Sequence, residues 1–427
     1  MPSVQIPCGR EELTLELPAG AAVLQTSEVP PLADPAGALA AALADPLGGP
    51  PLARLARGKS SACIVVSDIT RPVPNRLLLP PLLDTLLGAG VPREAVTILI
   101  ATGMHRPNLG PEVEELLGPE VAGNWRVVNH DCQYHSSLEV VDTIQGAPIA
   151  VNRRYLEAQL KIVTGLIEPH PFAGFSGGGK SILPGLASLE SMKFMHSFEM
   201  INHPGLRSGG LENNPFQEQV GRVARAAGLD FMLNVVIDRR RRPLGVFAGA
   251  FPEAFLHGCA LAARQTVAPV DEPYDLVITS GGGHPLDATL YQASKGLLAA
   301  KAITRPGGTV LWITECAQGL GGEDYCRMVR GCATPRGFKA KHGDPANFVV
   351  DQWGAQAYFQ CLEHLGRVLL YAPGLQADEA RSFGLEWVED LPAALAELCA
   401  GHTRVAVMPE GPYLSPLLTG GPTSPAA

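Results

Sequence analysis

Short β-rich runs recur along this chain, and each gives way to a polar, glycine- or proline-rich loop before the next helical stretch. Residues 62–66 precede SDITRPVPN, residues 96–100 precede ATGMHRPN, residues 126–129 lead into NHD, and residues 161–166 lead into IEPHPFAGFSGGGKS. Strands that alternate with helices build a parallel sheet, and ligands of such sheets gather at the carboxyl ends of the strands. The pattern therefore predicts Asp68, Arg71, His105, His130 and His170 on one edge of one sheet. A second series follows: residues 276–279 end in SGGGHPLD, and residues 309–313, 367–371 and 404–407 read as further strands.

The expected fold is α/β, with two α/β domains of mainly parallel sheets and an active-site cleft between them. Residues 1–268 form the predicted N-terminal, cofactor-binding domain and residues 272–402 the C-terminal one, with 403–427 expected to return to the first. Residues 4–6 and 13–17 read as a small hairpin, residues 35–57 as helices broken by Pro46 to Pro51, and GGPTSPAA as a disordered tail.

Composition narrows the function. Of 427 residues, 46% are apolar and 18% charged, a balance that suits a globular enzyme rather than a disordered chain. A net charge of −9 disfavours nucleic-acid binding, which needs clustered Lys and Arg. The run Arg239 to Arg242 reads as a solvated loop. No stretch of about 18 uninterrupted apolar residues exists, so no membrane span is expected. No secretory leader is visible, and nine scattered cysteines without a CxxC pair suit reduced thiols, which together make the cytoplasm the expected compartment.

GFSGGGKS (174–181) literally satisfies GxxxxGK[ST], the phosphate-binding pattern. Such a loop requires a helix starting at the lysine, and Pro184 and Gly185 follow too closely to favour one. An ATP-dependent enzyme is therefore the lesser reading. A weaker expectation survives: Gly177, Gly178 and Gly179 let the backbone approach a phosphate, with Ser176 beside them and Lys180 adding charge.

Among eleven histidines, His105 in TGMHRP and His170 in EPHPF each follow a strand beside a proline. A pair on one sheet edge suits acid/base chemistry, because an imidazole titrates near neutrality. His196 in KFMHS is a candidate metal ligand, although spacing reveals no second protein ligand. His130 and His203 are weaker candidates, and His257, His342, His364 and His402 are expected to be surface or structural. In YQASKG, Gln292 and Lys295 lie three apart, share a helix face and could hold a carboxylate. Arg71 could do the same, with Asp68 three residues earlier as its orienting partner.

Taken together, SDITRPVPN, TGMHRP, EPHPFAGFSGGGKSILPG, the MHS around His196, YQASKG and DQWGAQ (351–356) resemble the nickel-pincer lactate racemase family. The resemblance spans both predicted domains, in order. It implies a pyridinium-3-thioamide-5-thiocarboxylic acid mononucleotide carrying Ni(II), covalently attached at Lys180, with His196 as a metal ligand. It further implies His105 and His170 as the acid/base pair, Arg71, Gln292 and Lys295 on the substrate, Asp68 orienting the site, and Tyr291 and Trp353 packed near the cofactor. The implied reaction is racemisation or epimerisation of a small 2-hydroxy acid by reversible hydride transfer, lactate or a larger acid. The cofactor-biosynthesis proteins would be transient partners. A non-catalytic, cofactor- or metabolite-binding homologue is the other alternative.

Overall fold

The computed structural model describes residues 3–332 and 334–419; the expected disordered tail, 420–427, lies outside the described residues. The chain divides into two compact units. One comprises residues 28–196 and 203–264, and the other residues 1–27, 197–202 and 265–427.

The first unit is built on a six-stranded sheet. Its order is Pro243–Gly249, Phe231–Ile237, Leu160–Leu166, Ala62–Ser67, Val96–Ala101 and Arg126–Asn129. All neighbours pair in parallel except Pro243–Gly249, which is antiparallel at the edge. ACIVVS and LKIVTGL are almost wholly buried, as strands covered on both faces must be. Helix Asn75–Gly88 covers one face through Leu78, Leu79, Leu82, Leu83 and Leu86. A hairpin, Leu138–Ile144 with Ala147–Asn152, lies outside the sheet. The arginine run is the exposed turn between Phe231–Ile237 and Pro243–Gly249, where the Asp238 carboxylate accepts the backbone N–H groups of Arg240 and Arg242.

The second unit carries an all-parallel six-stranded sheet. Its order is Glu386–Trp387, Arg367–Tyr371, Thr304–Ile313, Tyr274–Ser280, Val405–Met408 and Ala22–Val23. This corrects the expected domain boundaries at both ends. Residues 405–408 are not a return to the N-terminal domain; they are an interior strand of this sheet. Nor does the start of the chain belong with residues 28–264. The antiparallel hairpin Ser3–Cys8 with Glu11–Glu16 buries Val4, Ile6, Leu15 and Leu17 against Leu276, Ile278, Leu311 and Ile313. An apolar face seeks the nearest uncovered sheet, and sequence proximity does not say which sheet that is. Among the described residues, no helix is long and apolar enough to cross a membrane.

Ile6 is fully buried in that cluster. Ile6→Ala is expected to destabilise the protein by about 2–5 kcal/mol in urea unfolding. Hydrogen exchange should then rise in Tyr274–Ser280 and Thr304–Ile313 rather than in Ala62–Ser67; the reverse pattern would restore the boundary expected from sequence.

Candidate active site

The loops that follow the strands of the first unit converge as predicted, but with different pairings. Asp68 is only 4% exposed, and its Oδ2 lies 2.6 Å from His105 Nδ1. Thr70 Oγ1–H donates to Oδ1 at 2.6 Å. Burial alone would raise the Asp68 carboxyl; the hydrogen bonds from His105 and Thr70, with Arg71 nearby, hold it below the ordinary carboxylate range. Asp68 therefore orients His105 rather than Arg71, whose guanidinium pairs with Glu168 at 3.3 Å. The two residues were three apart in sequence, yet the partner of Asp68 comes from the adjacent strand's loop.

Leu160–Leu166 is followed by a tight reversal in which Pro169–His170 pairs with Gly174–Phe175. Ser176 locks its base: the Ser176 hydroxyl donates to Leu166 O at 2.7 Å, and Ser176 N–H donates to Glu168 O at 2.8 Å. Two backbone N–H groups, of Phe172 and Ala173, donate to His170 Nδ1, each at 3.2 Å. On the other side of the ring, His170 Nε2 lies 3.0 Å from Lys180 Nζ.

No helix starts at Lys180. Gly178–Ser181 is a single 3₁₀ turn, which does not assemble the N-terminal amides of a phosphate loop. The glycines also do something other than open a phosphate cradle. A Cβ at Gly177 would lie 2.8 Å from Ile167, at Gly178 2.8 Å from Phe255, and at Gly179 3.0 Å from Ala224. The Gly178 N–H is taken by Asn234 Oδ1 at 2.7 Å. Gly177, Gly178, Gly179 and Ser176 thus thread the chain through packed protein and deliver Lys180 at its end.

Lys180 is half-buried. Burial, reinforced by the Arg71 charge and opposed by Glu168, brings its pKa down to about 7. Its Nζ lies 5.7 Å from the centroid of the Phe216 ring. His196 packs edge-on against the same Phe216, at 5.6 Å, and against Phe172, at 6.4 Å. Helix Leu189–Met195 ends at His196; its start is capped by the Ser188 hydroxyl, which accepts the Ser191 N–H. His196 Nδ1 donates to Met192 O at 3.0 Å, which leaves the ring lone pair on Nε2. Burial, offset in part by that bond, pushes the imidazole down to about 4, so it is neutral at neutral pH. A neutral imidazole fixed through Nδ1 is the form that binds a transition metal. Among the described residues, no group of three or more His, Cys, Asp or Glu could hold a metal. This donor set fits a metal that arrives with ligands of its own.

His130, placed on the same sheet edge by sequence, is structural. It is 3% exposed, donates from Nε2 to Ala187 O at 3.0 Å and accepts from Asn152 Nδ2 at 3.1 Å. Burial lowers its pKa to about 4. His203 is exposed and accepts the Gly205 N–H at 3.1 Å. Glu168 and Asn234 were missed. Glu168 sat inside a motif already read for its histidine. Asn234 had a signal, a lone amide in the apolar run FMLNVVI.

In the second unit, helix Leu290–Lys301 begins at the Thr289 cap, and Lys295 Nζ donates to Gln292 Oε1 at 2.9 Å. The amide and the cation share a face, as the spacing predicted. Tyr291 stacks edge-on against Tyr325 at 4.8 Å, and burial, with Asp351 nearby, pushes its phenol up. Trp353 lies 6.4 Å from Phe348, on helix Gln352–His364.

Two family models account for most of the chain: the lactate racemase N-terminal domain matches residues 8–209 and the lactate racemase C-terminal domain residues 270–413. The chain belongs to the lactate racemase family. It is a racemase, and hence an isomerase. A lactate racemase of Thermoanaerobacterium thermosaccharolyticum is 36% identical over 406 residues, covering 92% of this chain and 91% of that protein. A second family member, the lactate racemase of Lactiplantibacillus plantarum, is 35% identical over 375 residues, covering 86% and 88%. The structure of the T. thermosaccharolyticum lactate racemase apoprotein superposes with a TM-score of 0.89 at 34% identity, covering 97% of this chain and all of that one. A Thermotoga maritima protein, at 21% identity and a TM-score of 0.61, shares the fold.

Two expectations follow. Gly178 has φ +53° and no space for a methyl group, so Gly178→Ala should cost about 2–4 kcal/mol in urea unfolding. His130 and His196 are neutral in the fold, with pKa values near 4 against an ordinary 6.5. Below about pH 6.5 the unfolded chain therefore binds the extra protons. The apoprotein should be fully stable above that pH and lose on the order of 3 kcal/mol per ring as the pH falls to 4. Urea midpoints unchanged from pH 7 to pH 4 would contradict this.

Proposed function

We propose that this racemase acts on a small 2-hydroxy acid, with lactate as the first candidate because the two curated relatives are named for it. We further propose that it does so with a nickel-pincer nucleotide attached at Lys180. The observation that carries this reading is the placement of the half-buried Lys180 amine, its pKa depressed, beside His170 and in the same aromatic frame as a neutral His196. An amine with its pKa near neutrality is a competent nucleophile for acylation. A single imidazole from His196 would suit Ni(II) whose remaining donors are soft and come from the cofactor. When bound, that group would supply reversible acceptance of hydride from the substrate carbon.

The chain's own residues do the rest. His105 and His170 move the hydroxyl proton, and Asp68 fixes the ring of His105 as a carboxylate does in other acid/base sites. Arg71, held by Glu168, offers a planar fork for the substrate carboxylate. In the other unit, Lys295 with Gln292 offers a cation and an amide to the same class of ligand. The cofactor-biosynthesis proteins are its transient partners. Nine cysteines without a disulfide among the described residues support a reducing compartment, the cytoplasm. The alternative of an ATP-dependent enzyme has no helix at Lys180 to support it.

The test is intact mass and nickel content of protein co-expressed with the cofactor-synthesis enzymes, followed by a chiral assay over a panel of hydroxy acids. Lys180→Ala should lack the covalent adduct, the nickel and all turnover. His105→Ala and His170→Ala should keep the adduct and nickel while turnover falls by about 10²–10⁴-fold. Racemisation by metal-free protein, or an adduct that survives Lys180→Ala, would overturn the proposal.

A further inference from the structure

We infer that His105 and His170 are held in opposite neutral tautomers, so that Nε2 of His105 carries the lone pair where Nε2 of His170 carries the hydrogen. The inference rests on the reading of these two rings as the acid/base pair, and it makes them chemically unequal partners.

The argument is a count of hydrogens. Asp68, ionised, can only accept, and it approaches His105 Nδ1 at 2.6 Å. The second oxygen of the carboxylate is occupied by the Thr70 hydroxyl, which donates to it. The hydrogen of this contact therefore sits on His105 Nδ1, and the lone pair of the ring sits on Nε2. At His170 the order is reversed. Two backbone N–H groups, Phe172 and Ala173, converge on Nδ1 at 3.2 Å each. A backbone amide has no alternative to donating, so Nδ1 carries the lone pair and the hydrogen of the neutral ring sits on Nε2. That hydrogen points to Lys180 Nζ, 3.0 Å away, and requires the amine to accept. The chain of donors then runs in one direction, from the turn amides through the ring to the lysine.

The two settings respond oppositely to a second proton. On His105 an added proton at Nε2 leaves the contact with Asp68 intact and strengthens it, as a buried carboxylate stabilises an imidazolium. On His170 an added proton must go to Nδ1, where it opposes both amide donors of the turn. His170 becomes a base at Nε2 only if the segment Pro169–Phe175 surrenders those two bonds. His105 is thus already set to take a substrate hydroxyl proton onto Nε2 as the O–H bond breaks. His170 takes that part in the opposite direction only after its hydrogen has moved to Nδ1 and the two turn amides have been released.

The experiment is nitrogen-detected NMR of ¹⁵N-histidine apoprotein, full-length, at alkaline pH with both rings neutral. His105→Gln and His170→Gln assign the two sets of ring signals. The expected result is a protonated Nδ1 with a bare Nε2 for His105, and a bare Nδ1 with a protonated Nε2 for His170. Asp68→Ala should move His105 toward the Nε2–H form and leave His170 unchanged. The same tautomer in both rings, an even average in either, or a His105 indifferent to Asp68→Ala would overturn the inference. None of those outcomes bears on the racemase reading, which stands or falls separately on the adduct, the nickel and the chiral assay.

Discussion

There is no room for a methyl group at residues 177–179, and the site hangs from that constraint. The backbone passes within contact of Ile167, Phe255, Val220 and Ala224, and Asn234 fastens it through the Gly178 N–H. Close packing of main chain against side chain fixes position more tightly than a surface loop could. Lys180 is the first side chain after the squeeze, and its reach to His170 is set by where the glycines release it. The strand Leu160–Leu166 and the Ser176 lock hold the other end, so His170 and Lys180 are positioned from two sides.

Burial then distributes charge among the groups so placed. An isolated ammonium in an apolar setting is costly, and the lysine answers by titrating near neutrality rather than by contacting a carboxylate. Glu168 is spent on Arg71 instead, at 3.3 Å. His196, enclosed by Phe172 and Phe216, is neutral for the same reason of desolvation. Asp68 shows the opposite outcome: hydrogen bonds to its ionised form outweigh the burial that would protonate it. One unit thus holds an amine that titrates near neutrality, a neutral metal-type imidazole and an ionised carboxylate, each by a different balance of burial, charge and hydrogen bonding.

Much of this was legible in the sequence. Runs such as ACIVVS and LKIVTGL announce strands buried on both faces, and their loops had to meet at the carboxyl edge. His105 and His170 were reached that way, Lys180 through the GFSGGGKS motif, and the Gln292–Lys295 pair by helical spacing. Three things were not legible. The partner of Asp68 depends on which loops are neighbours across the sheet, and local spacing pointed to Arg71 instead. The role of the glycines depends on what stands opposite them, since freedom to bind a phosphate and freedom to pack against Phe255 look identical in one dimension. The allegiance of residues 3–17 depends on which sheet has an open apolar face, here the one containing Leu276 and Leu311.

The ownership of residues 197–202 has a consequence for how such a protein can be built. These six residues belong to the second unit, where Gln356 and Gln360 hold the carbonyls of Phe198 and Ile201 at 2.8 and 3.1 Å. The chain accordingly passes from one unit to the other four times, at 27/28, 196/197, 202/203 and 264/265, and His196 is the last residue before one of those passages. Neither unit is written as an uninterrupted stretch of gene. No single recombination joint could graft either one whole onto another protein.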